Sequence, residues 1–234
     1  MVTSYNSLFA RAHEVEVFTL SGGVTELGER LSTICDRVEA GGVRPVLHLE
    51  GVQGAFASGS AMDWPEQDLS IRTVTRWERA LRRLERVPAA SVVVVTGEVG
   101  PAALEVLLCT DWRICATDSV LGLSAPAWPG AGLFRMARQL GHTTTRRLTL
   151  FPGALPASRA LDLGLVDEVR GGSIADVLDA GTSAARAIVL DDADVAVLRQ
   201  LHNEAATAQY DDAIGAHLAA CDRLLRRRTA GDPT

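Results

Sequence analysis

The stretch ASVVVVTGEVGPAALEVLLCTDWRICATDSVLGL, residues 90–123, decides the fold. Its run of valines is typical of a strand that is covered on both faces. Gly100 and Pro101 then begin an apolar helix, with proline in the first turn, where its missing N–H costs nothing. Two short strands around a turn follow at residues 111–124. Strands joined through helices favour parallel pairing with right-handed crossovers, so the sequence predicts an α/β fold.

Outward from this stretch, the hydrophobic pattern predicts alternating strands and helices before it and mainly helices after it. Strands are expected at residues 14–20 and 43–50, and helices at residues 24–40 and 69–88. Three short helices separated by Gly and Pro follow residue 132, and then a short strand at residues 165–169. Two further helices are predicted at residues 174–190 and 194–227. The second half is therefore expected to be helical.

Composition excludes several classes of function. The net charge is −6 and no basic run is interleaved with aromatic residues, so nucleic acid is not an expected partner. No segment resembles a signal peptide or a bilayer span, so we expect no membrane partner. The four cysteines contain no C-x-x-C pair, which predicts reduced thiols, a cytoplasmic protein and no metal site.

Small residues at two strand ends indicate a site where the backbone approaches a ligand. One is the loop EGVQGAFASGSAMDW, residues 50–64, which contains Ser60; the other is the helix start at Ala102. If they lie side by side, two N–H groups converge on one oxygen and form an oxyanion hole. Glu105, about one turn further along, would be a general acid or base if burial raises its pKa. The alternatives are close packing at both junctions and a Glu105 that is solvated or paired with an arginine such as Arg113.

These residues resemble the crotonase (enoyl-CoA hydratase/isomerase) superfamily. GAFASGSAMD is similar to its first motif, A-F-x-A-G-x-D, and TGEVGPAALEVLLCTDWRICATDSVLGL to its second, which contains G-G-G-x-E-L. LTLFPGALPASRALDLGLVDEV is similar to a later segment ending in G-L-V-D-x-V. The resemblance implies the ClpP/crotonase-like fold. In this fold a spiral core of repeated β-β-α units, here residues 1–170, precedes a helical oligomerisation region, here residues 171–234.

The resemblance also implies a coenzyme A thioester as substrate and no further cofactor. By position, the N–H groups of Ser60 and Ala102 form the oxyanion hole, and Glu105 matches the first of the two hydratase glutamates. Ala125 stands where the second glutamate is expected, which weakens the prediction of simple fatty-acyl hydration. The predicted substrate-binding residues are Ala57, Gly59, Ala61 and Trp128. Homotrimers or hexamers are implied, formed largely through the C-terminal helices.

A subgroup of the superfamily resembles the chain more closely. VTRWERALRRLERVPA, CTDWRICATDSVL and AWPGAGLFRMARQLG are similar to small crotonase homologues of the 3,5-dihydroxyphenylglycine pathway of glycopeptide antibiotics. That resemblance implies assistance to a type III polyketide synthase, as a dehydratase or isomerase, in the dehydration and aromatisation that give 3,5-dihydroxyphenylacetyl-CoA. The alternative is a non-catalytic partner that enhances the synthase by binding it or its product.

Overall fold

A computed structural model describes residues 13–51, 70–123, 131–151 and 153–230 of the chain. The strands are β1 (Glu14–Leu20), β2 (Val43–Glu50), β3 (Val92–Thr96), β4 (Glu98–Val99), β5 (Trp112–Ala116), β6 (Val120–Leu123), β7 (Gly153–Pro156) and β8 (Glu168–Arg170). The helices are α1 (Val24–Glu39), α2 (Ile71–Leu84), α3 (Pro101–Leu107), α4 (Ala131–Leu140), α5 (His142–Leu150), α6 (Ala157–Asp162), α7 (Ile174–Ala187), α8 (Asp192–Ala205) and α9 (Tyr210–Ala230).

A parallel sheet with the strand order β1-β2-β3-β5-β8 forms the centre of the structure. Leu47 and Val93 on one face pack in the large core that also contains buried residues of α1, α2 and α3. Val46 and Val94 on the other face pack against α7. Both faces are covered, which explains why the valine run of β3 is apolar throughout. The predicted parallel pairing is confirmed for this sheet.

The second sheet is small and has the order β4-β6-β7. Gly97 turns the chain from β3 in the first sheet to β4 in the second with φ of +67°, a conformation that favours glycine. The same step recurs from β5 to β6, so β3-β4-α3 and β5-β6-α4 are two β-β-α units. The predicted β-β-α repeat is therefore present. β7, which pairs antiparallel with β6, was not predicted.

The C-terminal helices differ from the prediction in one place. The single helix predicted at residues 194–227 is two helices, α8 and α9, with a break between Ala205 and Tyr210. The Thr207 hydroxyl and the N–H groups of Thr207 and Ala208 all donate to the Glu204 carbonyl, which ends α8. The domain boundary at residue 170 stays a prediction, although α7 beyond it packs on the central sheet.

All four cysteines are free thiols, of which Cys35, Cys109 and Cys115 are buried and Cys221 is exposed. Across the part of the chain that the structure describes, no helix has both the length and the apolar character needed to cross a membrane.

Candidate active site

The first turn of α3 contains Ala102, a predicted oxyanion-hole residue. Gly100 precedes the helix in an extended conformation, and its carbonyl accepts from the N–H groups of Ala103 (3.1 Å) and Leu104 (3.3 Å). Within residues 13–51, 70–123, 131–151 and 153–230, the N–H of Ala102 has no acceptor. Pro101 stiffens this turn without removing that donor. None of the described groups therefore competes with a ligand oxygen for the N–H of Ala102.

The other predicted site residues cannot be placed. Ser60, the second oxyanion-hole residue, lies outside the described residues, as does Ala125. The same holds for the predicted substrate-binding residues Ala57, Gly59, Ala61 and Trp128. These assignments therefore stay predictions, and the geometry of the site is that of Ala102 and Glu105.

Glu105 is partly buried and lies between α2 and α4. The indole Nε1 of Trp77 donates a hydrogen bond to Glu105 Oε2. Arg113 is not its partner: the Arg113 guanidinium donates to the carbonyls of Thr110 and Leu165, both at 3.3 Å. Of the alternatives raised for Glu105, the pairing with Arg113 is wrong.

An ionic network adjoins the carboxylate of Glu105. Glu78 Oε1 accepts from the backbone N–H of Ala131 at 2.9 Å, and Glu78 Oε2 lies 3.1 Å from Nη1 of Arg135. Arg135 is buried, and its Nε lies 3.5 Å from Glu85 Oε1. Glu78 and Arg135 therefore join α2 to the beginning of α4, next to Glu105.

Burial raises the pKa of Glu105 above the ordinary glutamate value. The hydrogen bond from Trp77 opposes this shift in pKa, since it favours the ionised carboxylate. The negative charge of Glu78 raises the pKa further, while the charge of Arg135 and the Gly132 N–H lower it. A raised pKa makes a carboxylate a stronger proton acceptor, which suits general acid–base chemistry.

The sequence pattern around Trp77, Gly132 and Arg135 does not indicate that these residues lie at the site. Trp77 lies on an amphipathic helix, where a tryptophan is typical of the hydrophobic core, and it is indeed buried. The one feature of the sequence that could have indicated the contact with Glu105 is that a buried indole N–H needs an acceptor. His48 on β2 is buried, with its Nε2 2.8 Å from Thr96 Oγ1. Among the described residues, no group of three His, Cys, Asp or Glu side chains is arranged to hold a metal ion.

Comparison with known proteins identifies the family. The family model described as enoyl-CoA hydratase/isomerase matches residues 22–231. An enoyl-CoA-hydratase of Amycolatopsis orientalis is 38% identical over 206 residues, which cover 85% of this chain and 89% of that protein. The human enoyl-CoA hydratase domain-containing protein 2, a mitochondrial protein, is 28% identical over 184 residues, 68% of this chain and 63% of that protein.

Solved structures show the same fold. An enoyl-CoA hydratase from Mycobacterium smegmatis superposes with a TM-score of 0.74 at 17% identity, covering 90% of this chain and 87% of that one. An enoyl-CoA hydratase from Bacillus anthracis gives 0.73 at 18% identity, covering 95% and 92%. The two β-β-α units and the matched residues lead to one conclusion: the chain belongs to the enoyl-CoA hydratase/isomerase family, has the crotonase fold, and is an enzyme of this type.

Proposed function

We propose that this enzyme acts on a polyketide acyl-CoA and assists a type III polyketide synthase in the dehydration and aromatisation that give 3,5-dihydroxyphenylacetyl-CoA. The observation that carries the proposal is Glu105, a partly buried carboxylate one helical turn after the N–H of Ala102. The subgroup resemblance of residues 74–89, 109–121 and 127–141 supports the polyketide substrate.

The chemistry requires one proton acceptor and one site for negative charge. Glu105 removes a proton from the carbon next to the thioester carbonyl, and the carbonyl oxygen becomes an enolate oxygen held by the N–H groups of Ser60 and Ala102. The enolate then re-forms the carbonyl as the C–O bond to the β-hydroxyl breaks. The protonated Glu105 returns its proton to the departing hydroxide, so that water leaves and a C=C bond remains.

A single carboxylate can perform both proton transfers in this sequence. The indole N–H of Trp77 engages one oxygen of Glu105, whereas a carboxylate has about four lone-pair positions. Acceptor capacity therefore remains for a substrate proton. Ala125 stands where the second glutamate is expected, so Glu105 has to serve the leaving hydroxide as well as the carbon next to the carbonyl. Aromatisation of the product makes elimination favourable over hydration.

The remaining parts of the proposal concern the assembly. We propose that the chain forms homotrimers or hexamers through its C-terminal helices, works in the cytoplasm and uses no cofactor besides the coenzyme A of its substrate. Exposed apolar side chains on α9, among them Leu218 (62% exposed) and Leu225 (60%), support a contact there. Four free cysteines support a reducing compartment.

The Glu105→Gln variant tests the proposed function. We would measure 3,5-dihydroxyphenylacetyl-CoA formed from malonyl-CoA by a purified type III synthase, with wild type, Glu105→Gln, or the exposed control Glu29→Gln added. Loss of the general acid–base group predicts a decrease in stimulation of roughly 10²–10⁴-fold for Glu105→Gln and none for Glu29→Gln. Stimulation equal to that of wild type would contradict the enzymatic role and favour the non-catalytic partner.

A second assay omits the synthase. A synthetic 3-hydroxyacyl-CoA is incubated with the enzyme alone, and formation of the enoyl thioester is followed by its absorbance. Conversion by wild type but not by Glu105→Gln would exclude a protein that only binds the synthase.

A further inference from the structure

Two elements besides α3 fix the carboxylate of Glu105. Trp77 on α2 is 1% exposed, and its Nε1 donates to Glu105 Oε2. On the other side, an ideal Cβ built on Gly132 would lie 2.5 Å from Glu105 Oε1 and 2.9 Å from its Cγ. The carboxylate therefore occupies a slot between an indole edge and the bare backbone of α4.

The contact with Trp77 restricts both partners. An indole N–H can only donate, and leaving it buried without an acceptor costs free energy, so Trp77 depends on Glu105. Glu105 in turn depends on Trp77 for its orientation, because a glutamate side chain otherwise rotates about three bonds. Packing alone does not require an N–H at this position; a phenyl ring would fill much of the same space.

We propose that Trp77 is a positioning residue for proton transfer by Glu105, because its indole N–H fixes one carboxylate oxygen and leaves the remaining lone pairs to the substrate. This inference rests on the proposed function of Glu105. Trp77 does not touch the reacting atoms in this scheme. It acts through the orientation and the charge state of the carboxylate.

The charged groups around Glu105 make the contribution of Trp77 testable. Glu78 on α2 and Arg135 on α4 face Glu105 with opposite charges, and they are paired with each other at 3.1 Å. Cys109 lies just after the end of α3, and burial raises the pKa of its thiol well above neutral pH. Among the interactions that favour the ionised carboxylate, the Trp77 hydrogen bond is the largest. Its removal should raise the pKa of Glu105 further.

The decisive experiment removes the N–H and keeps the shape. Residue 77 is replaced by 3-benzothienylalanine, in which sulfur stands where the indole has N–H, and kcat and KM are measured against pH in the synthetic 3-hydroxyacyl-CoA assay. We expect the acid limb of kcat to move to higher pH, with about a tenfold loss of kcat on that limb for each pKa unit, and KM to change little. The same replacement at Trp112, which is 42% exposed on β5, is the control and should not move the limb.

A measurement independent of turnover accompanies the kinetics. The Cδ chemical shift of 13C-labelled glutamate is titrated in both proteins, and the Glu105 signal is identified by its absence in Glu105→Gln. A higher pKa in the residue-77 variant supports the inference. If both the acid limb and the titration are unchanged while Glu105→Gln is inactive, the role of Trp77 is overturned and the proposed function stands. Full activity of Glu105→Gln would overturn both.

Discussion

Gly132→Ala is expected to disturb Glu105 through a direct steric conflict. Gly132 is the second residue of α4, and an added Cβ would lie 2.5 Å from Oε1, 2.9 Å from Cγ and 3.1 Å from Cδ of Glu105. Carbon and oxygen atoms that are not bonded do not approach so closely. Because Trp77 and Gly132 enclose the carboxylate from two sides, Glu105 has to leave its position or α4 has to move.

The size of the effect follows from two opposing contributions. Overpacking of this kind destabilises a protein by about 1–3 kcal/mol. Alanine is favoured over glycine within a helix by up to about 1 kcal/mol, so the net loss of stability is roughly 0–3 kcal/mol. In a Glu105→Ala background the three atoms nearest to the added Cβ, all of the Glu105 side chain, are gone, and we expect the helical preference to prevail. Gly132→Ala should then stabilise the protein by up to about 1 kcal/mol.

The assay is a double-mutant cycle. The free energy of unfolding is measured by urea denaturation for wild type, the two single variants and the double variant, and the predicted coupling is about 1–3 kcal/mol. The loss of the Trp77 acceptor in Glu105→Ala occurs on both sides of the cycle and cancels. Gly215→Ala on α9, where a Cβ meets nothing within 4 Å, is the control and should be equally stabilising in both backgrounds. A coupling below about 0.5 kcal/mol for Gly132→Ala would refute the steric argument.

Two further predictions concern packing and pH. Gly181→Ala on α7 places a Cβ 2.5 Å from Val94 Cγ2 in the central sheet. We therefore expect urea denaturation to show a net destabilisation of roughly 0.5–2 kcal/mol, whereas Gly215→Ala should not destabilise the protein. A gain in stability for Gly181→Ala would show that α7 can move away from the sheet without cost. The pKa of Glu105 is higher in the folded than in the unfolded chain, so the native state binds the additional proton and its stability falls as pH rises from the ordinary value of 4.5 through the folded pKa. The stability of wild type minus that of Glu105→Gln should therefore decrease over this range in urea denaturation at successive pH values, and a constant or increasing difference would contradict the burial of this carboxylate.

Local pattern was sufficient for the larger elements. The alternating residues of β1 and the apolar residues of β2 predict strands whose bounds agree with the structure, because several residues in succession report the same environment. The valines of β3 predict a strand covered on both faces, and α1 and α7 provide that cover. β4 has only two residues, too few to show a period, and β7 begins with glycine and ends with proline, which indicate a turn. The break between α8 and α9 has no glycine or proline to signal it.

The candidate site likewise has one part that local pattern predicts and another part that it does not. Helical spacing alone places Glu105 one turn after the helix start at Ala102, because that spacing fixes which residues share a face. The surroundings of the carboxylate, in contrast, depend on how the whole chain folds. Trp77, Gly132 and Arg135 come from helices separated from Glu105 in the chain, and a helical pattern shows that a residue faces inward without showing which residue it meets. Contacts of this kind depend on how helices pack, and that packing is a property of the whole core.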